Sequence, residues 1–192
     1  WLIYGESGTG KELVARAIHE QGARKSIPLV TMNCAAIPDS LIESELFGYE
    51  KGAFTGAEKS TQGLIESADN GTLFLDEVAE LSPSAQAGLL RVLQEGELRR
   101  LGSTKTKRIN VRVLAATHRD LVARVGQGRF RDDLLYRLKV IEIDLPPLRN
   151  RKDDLPALAE HLLQRTRAKL NSEVQGFSPG AVKKKGQYEW PG

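Results

Sequence analysis

Cysteine is almost missing from this chain: Cys34 is alone among 192 residues, so no disulfide can form within it and a reducing cytosol is its simplest home. Long apolar runs are missing too. None approaches the roughly twenty residues needed to cross a bilayer, and no signal peptide is recognisable, so a cytoplasmic protein with no membrane partner is expected. An excess of one charge sign is also lacking. Lys and Arg number 28 against 25 Asp and Glu, a formal net charge of +3, and the positive charge is dispersed. The basic pI of about 9.0 is therefore no argument for nucleic-acid binding. Two local clusters, Lys105, Lys107 and Arg108, and Lys183, Lys184 and Lys185, read first as solvated faces.

What the chain does have begins at its fifth residue. In Gly5-Glu6-Ser7-Gly8-Thr9-Gly10-Lys11 glycines keep side chains away, so that successive backbone N–H groups can point at a polyphosphate while the lysine places a cation near the β and γ phosphates. A Gly-rich run before a helix is also compatible with a flexible loop. Its context favours the phosphate reading: Trp1-Leu2-Ile3-Tyr4 suits a buried strand, and Leu13, Val14, Ala17 and Ile18 recur at helical spacing from Glu12 to Gln21, with Gly22 as a stop. A second nucleotide pattern follows where Thr72-Leu73-Phe74-Leu75 ends in Asp76-Glu77. Carboxylates at the tip of a buried strand want a cation. Asp76 suits a magnesium ion and Glu77 the attacking water. Alone, the same residues also describe a strand leaving the core into an acidic helix cap.

Strands and helices alternate onward, which argues for an open α/β sheet with helices on both faces. Further strands are expected at Leu29 to Met32, Ile109 to Thr117 and Val140 to Ile143. Ser40 with Glu43 forms a capping-box pattern for a helix ending at Phe47, and Ser82-Pro83 opens another whose apolar face is Leu89, Leu90, Val92 and Leu93. Beyond Leu145-Pro146-Pro147-Leu148 the composition changes. Asp153-Asp154 is expected to cap a helix to about Leu170, and Ser178-Pro179 a second one, weakened by Lys183-Lys184-Lys185-Gly186. Residues 1–148 thus read as the α/β body and 149–192 as the start of a small helical lid. The abrupt ends suggest an internal fragment of something longer, with a truncated first strand.

Gly52-Ala53-Phe54-Thr55-Gly56-Ala57 makes the reading specific. The six residues match the signature loop of the bacterial enhancer-binding proteins, the AAA+ ATPases that activate sigma-54 RNA polymerase, and the resemblance runs through essentially the whole chain. It implies a P-loop AAA+ fold, ATP and Mg2+ as cofactors, and a loop 52–57 that engages sigma-54. It further implies a homo-oligomeric ring, expected to be a hexamer, and contact with enhancer DNA only through a domain outside this chain. Gly5 to Lys11 resembles the family's Walker A, with Glu12 where other P-loops place Ser or Thr on the metal. The block 68–77 resembles Walker B, with Asp76 as metal ligand and Glu77 as catalytic base. Asn33 resembles the polar residue that pairs with that glutamate; it is equally a strand-end asparagine capping its own turn. Thr117 and His118 resemble the sensor I segment that feels the γ phosphate, although relatives commonly carry Asn at the position of His118. Arg131 and Arg137, in the segment 128–138, match the family's arginine fingers, unless these arginines only serve Asp132 and Asp133 nearby. Trp190-Pro191-Gly192 resembles the start of sensor II, whose arginine would follow. His19 and His161 are expected on helix surfaces. Other readings are a different AAA+ remodelling ATPase, a nucleotide-gated scaffold with weak hydrolysis, or a DNA-binding regulator, the last disfavoured by the lack of a recognition-helix pattern.

Overall fold

The computed structural model describes residues 1–190. Its contacts divide the chain into two units, one made of Trp1–Gly5 with Gly10–Asp144, the other of Glu6–Thr9 with the chain from Leu145 onward.

The first unit is built on strands β1 (Leu2–Gly5), β2 (Leu29–Asn33), β3 (Gly48–Tyr49), β4 (Thr61–Gln62), β5 (Thr72–Asp76), β6 (Glu97–Arg99), β7 (Thr106–Arg108), β8 (Arg112–Thr117) and, finishing just beyond it, β9 (Glu142–Leu145). Interleaved are helices α1 (Lys11–Glu20), α2 (Asp39–Phe47), α3 (Leu64–Ser67), α4 (Pro83–Glu95), α5 (Leu121–Gly126) and α6 (Asp132–Leu138). Five strands form one sheet in the order β2-β5-β8-β1-β9, and β2 with β5, β5 with β8 and β8 with β1 pair parallel. Parallel strands need helical crossovers that cover both faces. Accordingly Leu73 and Leu75 of β5 join Ile42, Leu46, Leu89 and Phe130 in the main core, while the alternate residues Ile3, Phe74 and Leu114 are buried as well.

Several local expectations shift. In α1 the buried stripe is Lys11, Ala15 and His19, whereas Leu13 is 70% exposed. His19, expected on the surface, is buried because its Nδ1 meets the hydroxyl of Thr72 at 3.0 Å, which satisfies the ring's polarity where helix and strand touch. Ser40 caps nothing: Pro38 holds the cap position of α2 and no side chain bonds there. The Glu43 carboxylate instead accepts hydrogen bonds from the hydroxyls of Ser82 and Ser84. Ser82 does cap α4, its Oγ accepting from the N–H of Ala85 at 3.2 Å. The strand foreseen from Ile109 starts at Arg112, since the preceding residues turn out of the β6–β7 hairpin, and the last strand begins at Glu142 and not at Val140.

The second unit carries α7 (Leu155–Leu170) and α8 (Pro179–Gln187). Asp154 stands at the cap of α7 without a side-chain bond, while the Ser178 hydroxyl caps α8 through Ala181 at 3.3 Å. Lys183 to Gly186 stay helical, but no residue of α8 is buried, and Leu158 and Leu162 of α7 are 38% and 48% exposed.

Candidate functional site

In open parallel sheets the carboxyl ends of the strands leave backbone groups and loops free to hold a ligand. Here those ends collect the chemistry: Asn33 ends β2, Asp76 ends β5, Thr117 ends β8, and β1 runs into the glycine loop. The register sets Asn33 beside Asp76 and Tyr4 beside Thr117. Gly8 and Gly10 have φ values of 79° and 94°, the left-handed region where a Cβ is strained. Gly10 holds the cap position of α1 without any side-chain bond, so the first-turn N–H groups stay directed at an incoming anion, reinforced by the helix dipole. Lys11, buried although charged, donates from Nζ to the Gly5 carbonyl at 2.9 Å and lies 3.8 Å from the Glu77 carboxylate. Glu12, next along, is exposed and forms a helix-surface ion pair with Arg16 at 2.7 Å.

Glu77 has φ 53° and ψ 48°. A left-handed glutamate costs about 1–3 kcal/mol of strain, which persists only where surrounding contacts enforce it. Enforcement comes from the tip of β8: Glu77 Oε2 lies 2.8 Å from His118 Nδ1 and 3.4 Å from both the His118 N–H and the Thr117 hydroxyl. Burial pushes its carboxyl pKa up, but hydrogen bonding to His118, the charge of that ring, the His118 N–H and Lys11 outweigh it and hold it below the ordinary value. Its neighbour behaves oppositely. Burial, then the charge of Glu77, raise Asp76 above the usual aspartate value, with Lys11 and the Glu77 N–H opposing. The two neighbouring carboxyls are thus pushed in opposite directions, and the one whose charged form is disfavoured gains most from a nearby cation. Among the described residues no group of three or more His, Cys, Asp or Glu side chains converges on a metal. The Asp76 carboxylate at the strand tip beside the glycine loop fits magnesium, which takes one or two carboxylates and completes its shell with phosphate and water.

Asn33 stands one strand away from its expected partner. Its Nδ2 donates to Asp76 Oδ2 at 3.3 Å and its Oδ1 accepts from the Ala35 N–H at 2.9 Å, so it caps its own turn and touches Asp76, while Glu77 is held by His118. The register explains this: Asn33 is level with Asp76, one residue short of Glu77.

Loop 52–57 projects from the β3–β4 pair. Its ends are closed by the Gly52 N–H to Ala57 carbonyl bond of 2.9 Å, and Gly52 and Gly56 have φ of 82° and 100°. Ala57 is buried, Thr55 exposed and Phe54 44% exposed, with its ring 4.9 Å from that of Tyr49. Below it lies an ion network that the sequence reading missed. Buried Glu66 accepts from Arg100 at 2.8 Å and from Lys107 at 2.6 Å, and Arg100 also reaches Glu50 at 3.1 Å. Lys107 is thus no free surface lysine. A lone Glu in an α3 of four residues gave no signal, because its partners come from a distant hairpin.

Arg131 pairs within the chain with Asp133, Nη2 to Oδ2 at 2.7 Å, and Arg137 donates to the Leu93 carbonyl at 2.9 Å. Both are on the exposed side of α6's start and end. In the second unit Arg149 grips the Glu6 carboxylate, and Arg151 donates to the Thr9 carbonyl at 2.8 Å. Neither was foreseen; two arginines flanking Asn150 after Pro146-Pro147 were the available signal. His161 is exposed. Of the sensor II segment, Pro191 and Gly192 lie outside the described residues. No helix among the described residues is long and apolar enough to cross a membrane.

A parallel sheet with a glycine loop before α1 and two acids at the tip of β5 defines a P-loop nucleotide-binding protein of the AAA+ kind. Residues 1–144 match the family described as the sigma-54 interaction domain, and 149–192 match an AAA+ ATPase lid domain; the chain belongs to the sigma-54 interaction domain family. It is 57% identical over 191 residues to the transcriptional regulatory protein ZraR of Klebsiella oxytoca, covering all of this chain and 43% of that protein. It is 54% identical to the Nif-specific regulatory protein of Azotobacter vinelandii, again over all of this chain and 36% of the relative. The crystal structure of NtrX from Brucella abortus in complex with ADP superposes with a TM-score of 0.91 at 36% identity, over 98% of this chain and 41% of that one. The chain therefore spans less than half the length of the relatives it matches.

Proposed function

We propose that this chain is the motor domain of a sigma-54-dependent transcriptional activator, which binds ATP with magnesium, hydrolyses it in a homo-oligomeric ring and drives loop 52–57 against sigma-54. The observation that carries the reading is the pairing of Lys11 with Glu77 at 3.8 Å beside Asp76 on the tip of β5. A phosphate-facing cation, a metal-seeking acid and an ionised base in one place are the parts that phosphoryl transfer to water requires.

In this reading Gly5 to Lys11 cradle the phosphates, and Asp76 holds the magnesium, which neutralises charge on the phosphate oxygens. Glu77 orients and deprotonates the attacking water; its backbone strain and the grip of His118 keep the carboxylate from relaxing into solvent. Thr117 and His118 register the γ phosphate through that carboxylate, a role supported by their contacts to it. Because Glu12 faces solvent beside Arg16, Asp76 carries the larger share of protein-to-metal contact. Arg131 and Arg137 act on a neighbouring subunit's nucleotide, giving up their present partners to do so, and turnover then depends on assembly. Residues 1–148 form the catalytic body and 149–192 the lid. Enhancer DNA is reached through another part of the protein.

The test compares two variants of the intact protein. Lys11→Ala loses ATP affinity because the cation facing the phosphates is gone. Glu77→Gln keeps affinity within about twofold and loses turnover by roughly 100- to 10,000-fold, the size of a general-base contribution. Binding is measured with a fluorescent ATP analogue and turnover by phosphate release. Equal ATP affinity for Lys11→Ala and the parent protein overturns the assignment.

A further inference from the structure

Gln86, in the first turns of α4, is 1% exposed, and none of the chemistry above uses it. A primary amide has two N–H donors and a carbonyl acceptor, and burying them without partners is costly. All are engaged: Nε2 donates to the Leu81 carbonyl at 2.8 Å and to the Arg129 carbonyl at 3.1 Å, while Oε1 accepts from the Arg131 N–H at 2.9 Å. Gln86 thus binds the backbone on either side of Phe130 as a neighbouring β-strand would. Between those two contacts Phe130 is plugged into the core at 4% exposure, which leaves the Arg131 side chain, 47% exposed, directed outward. The third contact, Leu81, terminates the short turn Val78–Glu80 that begins directly after Glu77. One amide therefore ties the segment leaving a subunit's own catalytic carboxylate to the segment that presents its outward arginine.

We infer that Gln86 is the positioning residue of Arg131: it fixes the 129–131 backbone to the turn after Glu77, so that the guanidinium is offered to the adjacent subunit at a set distance. The inference rests on the proposed action of Arg131 in trans. It adds the element that aims the arginine and couples its aim to the state of the subunit's own Glu77 segment. Arg137 is held differently, its guanidinium reaching α4 directly through the Leu93 carbonyl.

The experiment uses Gln86→Met in the intact protein, a side chain of similar length that makes none of the three bonds. A misplacement of about 1 Å in a catalytic group costs on the order of 100-fold, and a loss of that size in turnover is expected, with ATP affinity within twofold of the parent. A role confined to folding is separated from aiming by mixing subunits. Gln86→Met retains its own Glu77 site and lacks only a well-placed arginine, so mixing it with Glu77→Gln restores turnover, whereas mixing it with Arg131→Ala does not. Arg131→Ala mixed with Glu77→Gln is the control: if it fails to restore turnover although the subunits co-assemble, the trans action of Arg131 falls, and this inference with it. If the control succeeds, a Gln86→Met protein that turns over at the parent rate, or that is rescued by Arg131→Ala and not by Glu77→Gln, overturns the aiming role alone. Should Gln86→Met not fold, Gln86→Glu takes its place, since it keeps the acceptor for the Arg131 N–H and loses the donors to Leu81 and Arg129. It is expected in the same complementation class, and parent-like turnover by it is equally fatal.

Discussion

The tip of β5 and the loop 52–57 are both short segments that follow a strand, yet they are built in opposite ways. At Asp76 and Glu77 the charged groups are partly buried, and Glu77 is strained in its backbone and held by His118, just past β8, and by Lys11 of α1. At Phe54 and Thr55 the side chains face solvent, and rigidity is confined to the base, where Gly48 and Gly63 pass so closely that a Cβ on Gly63 would sit 2.3 Å from the Gly48 nitrogen. A site that stabilises charge must exclude water and fix its groups in advance. A site that touches another protein must instead present apolar and hydroxyl surface at the end of a stiff arm.

The comparison breaks most sharply at the crossing. Gly63→Ala drives a methyl into the β3 backbone, which cannot yield as a flexible side chain could, and a loss of about 1–3 kcal/mol or more is expected from overpacking. Thermal unfolding reads the loss, and capture of sigma-54 with a transition-state nucleotide analogue falls with it. An unchanged melting temperature means that the arm's base is looser than its geometry.

Next in size is the network beneath the arm. Burial raises the pKa of Glu66, but its bonds to Lys107 and Arg100, with their charges, bring it below the ordinary glutamate value. A carboxyl lowered on folding binds fewer protons folded than unfolded, so its stabilisation is complete above the ordinary glutamate pKa and is lost as pH falls through the folded value. Glu66→Gln is expected to cost about 1.5–3 kcal/mol, as for a hydrogen bond to a charged group. The cost should shrink as the pH is lowered into the acid range. Chemical denaturation at neutral and acid pH measures it, and a cost independent of pH removes the ion pairs as its cause.

Smallest of all is the expected effect of Thr55→Ala on hydrolysis: less than twofold, because the side chain is exposed on the loop. If loop 52–57 engages sigma-54 as proposed, the same variant loses capture of it. Hydrolysis reduced along with capture would erase the distinction between the two segments, and undiminished capture would remove the loop's role.

How much of this was legible in the residues depended on the range of the interaction. The glycine loop, the apolar strand ending in two acids, the Ser82 cap and the six-residue loop are contiguous patterns, and each formed where expected. The capping box at Ser40 failed because Pro38 claimed the cap and Glu43 found the hydroxyls of Ser82 and Ser84 at the start of α4, distant in sequence. Lys107 is exposed, as its sequence suggests, but its partner Glu66 was not legible because the two meet only when the β6–β7 hairpin folds back. His19 misled for the same reason, since only β5 supplies Thr72.

By itself, then, the sequence determined the class of chemistry: phosphate binding needs successive backbone N–H groups and one lysine, which seven adjacent residues can encode without reference to the rest of the chain. Tertiary structure alone decided the assignments among neighbours. It set Asn33 against Asp76 and not Glu77, gave Glu77 to His118, and engaged Gln86 with the backbone that carries Arg131. The physical reason is that a hydrogen bond is resolved to a few tenths of an ångström. Strand register moves a residue by more than three ångströms per step, so a pattern that names the right residues still leaves their partners to the packing.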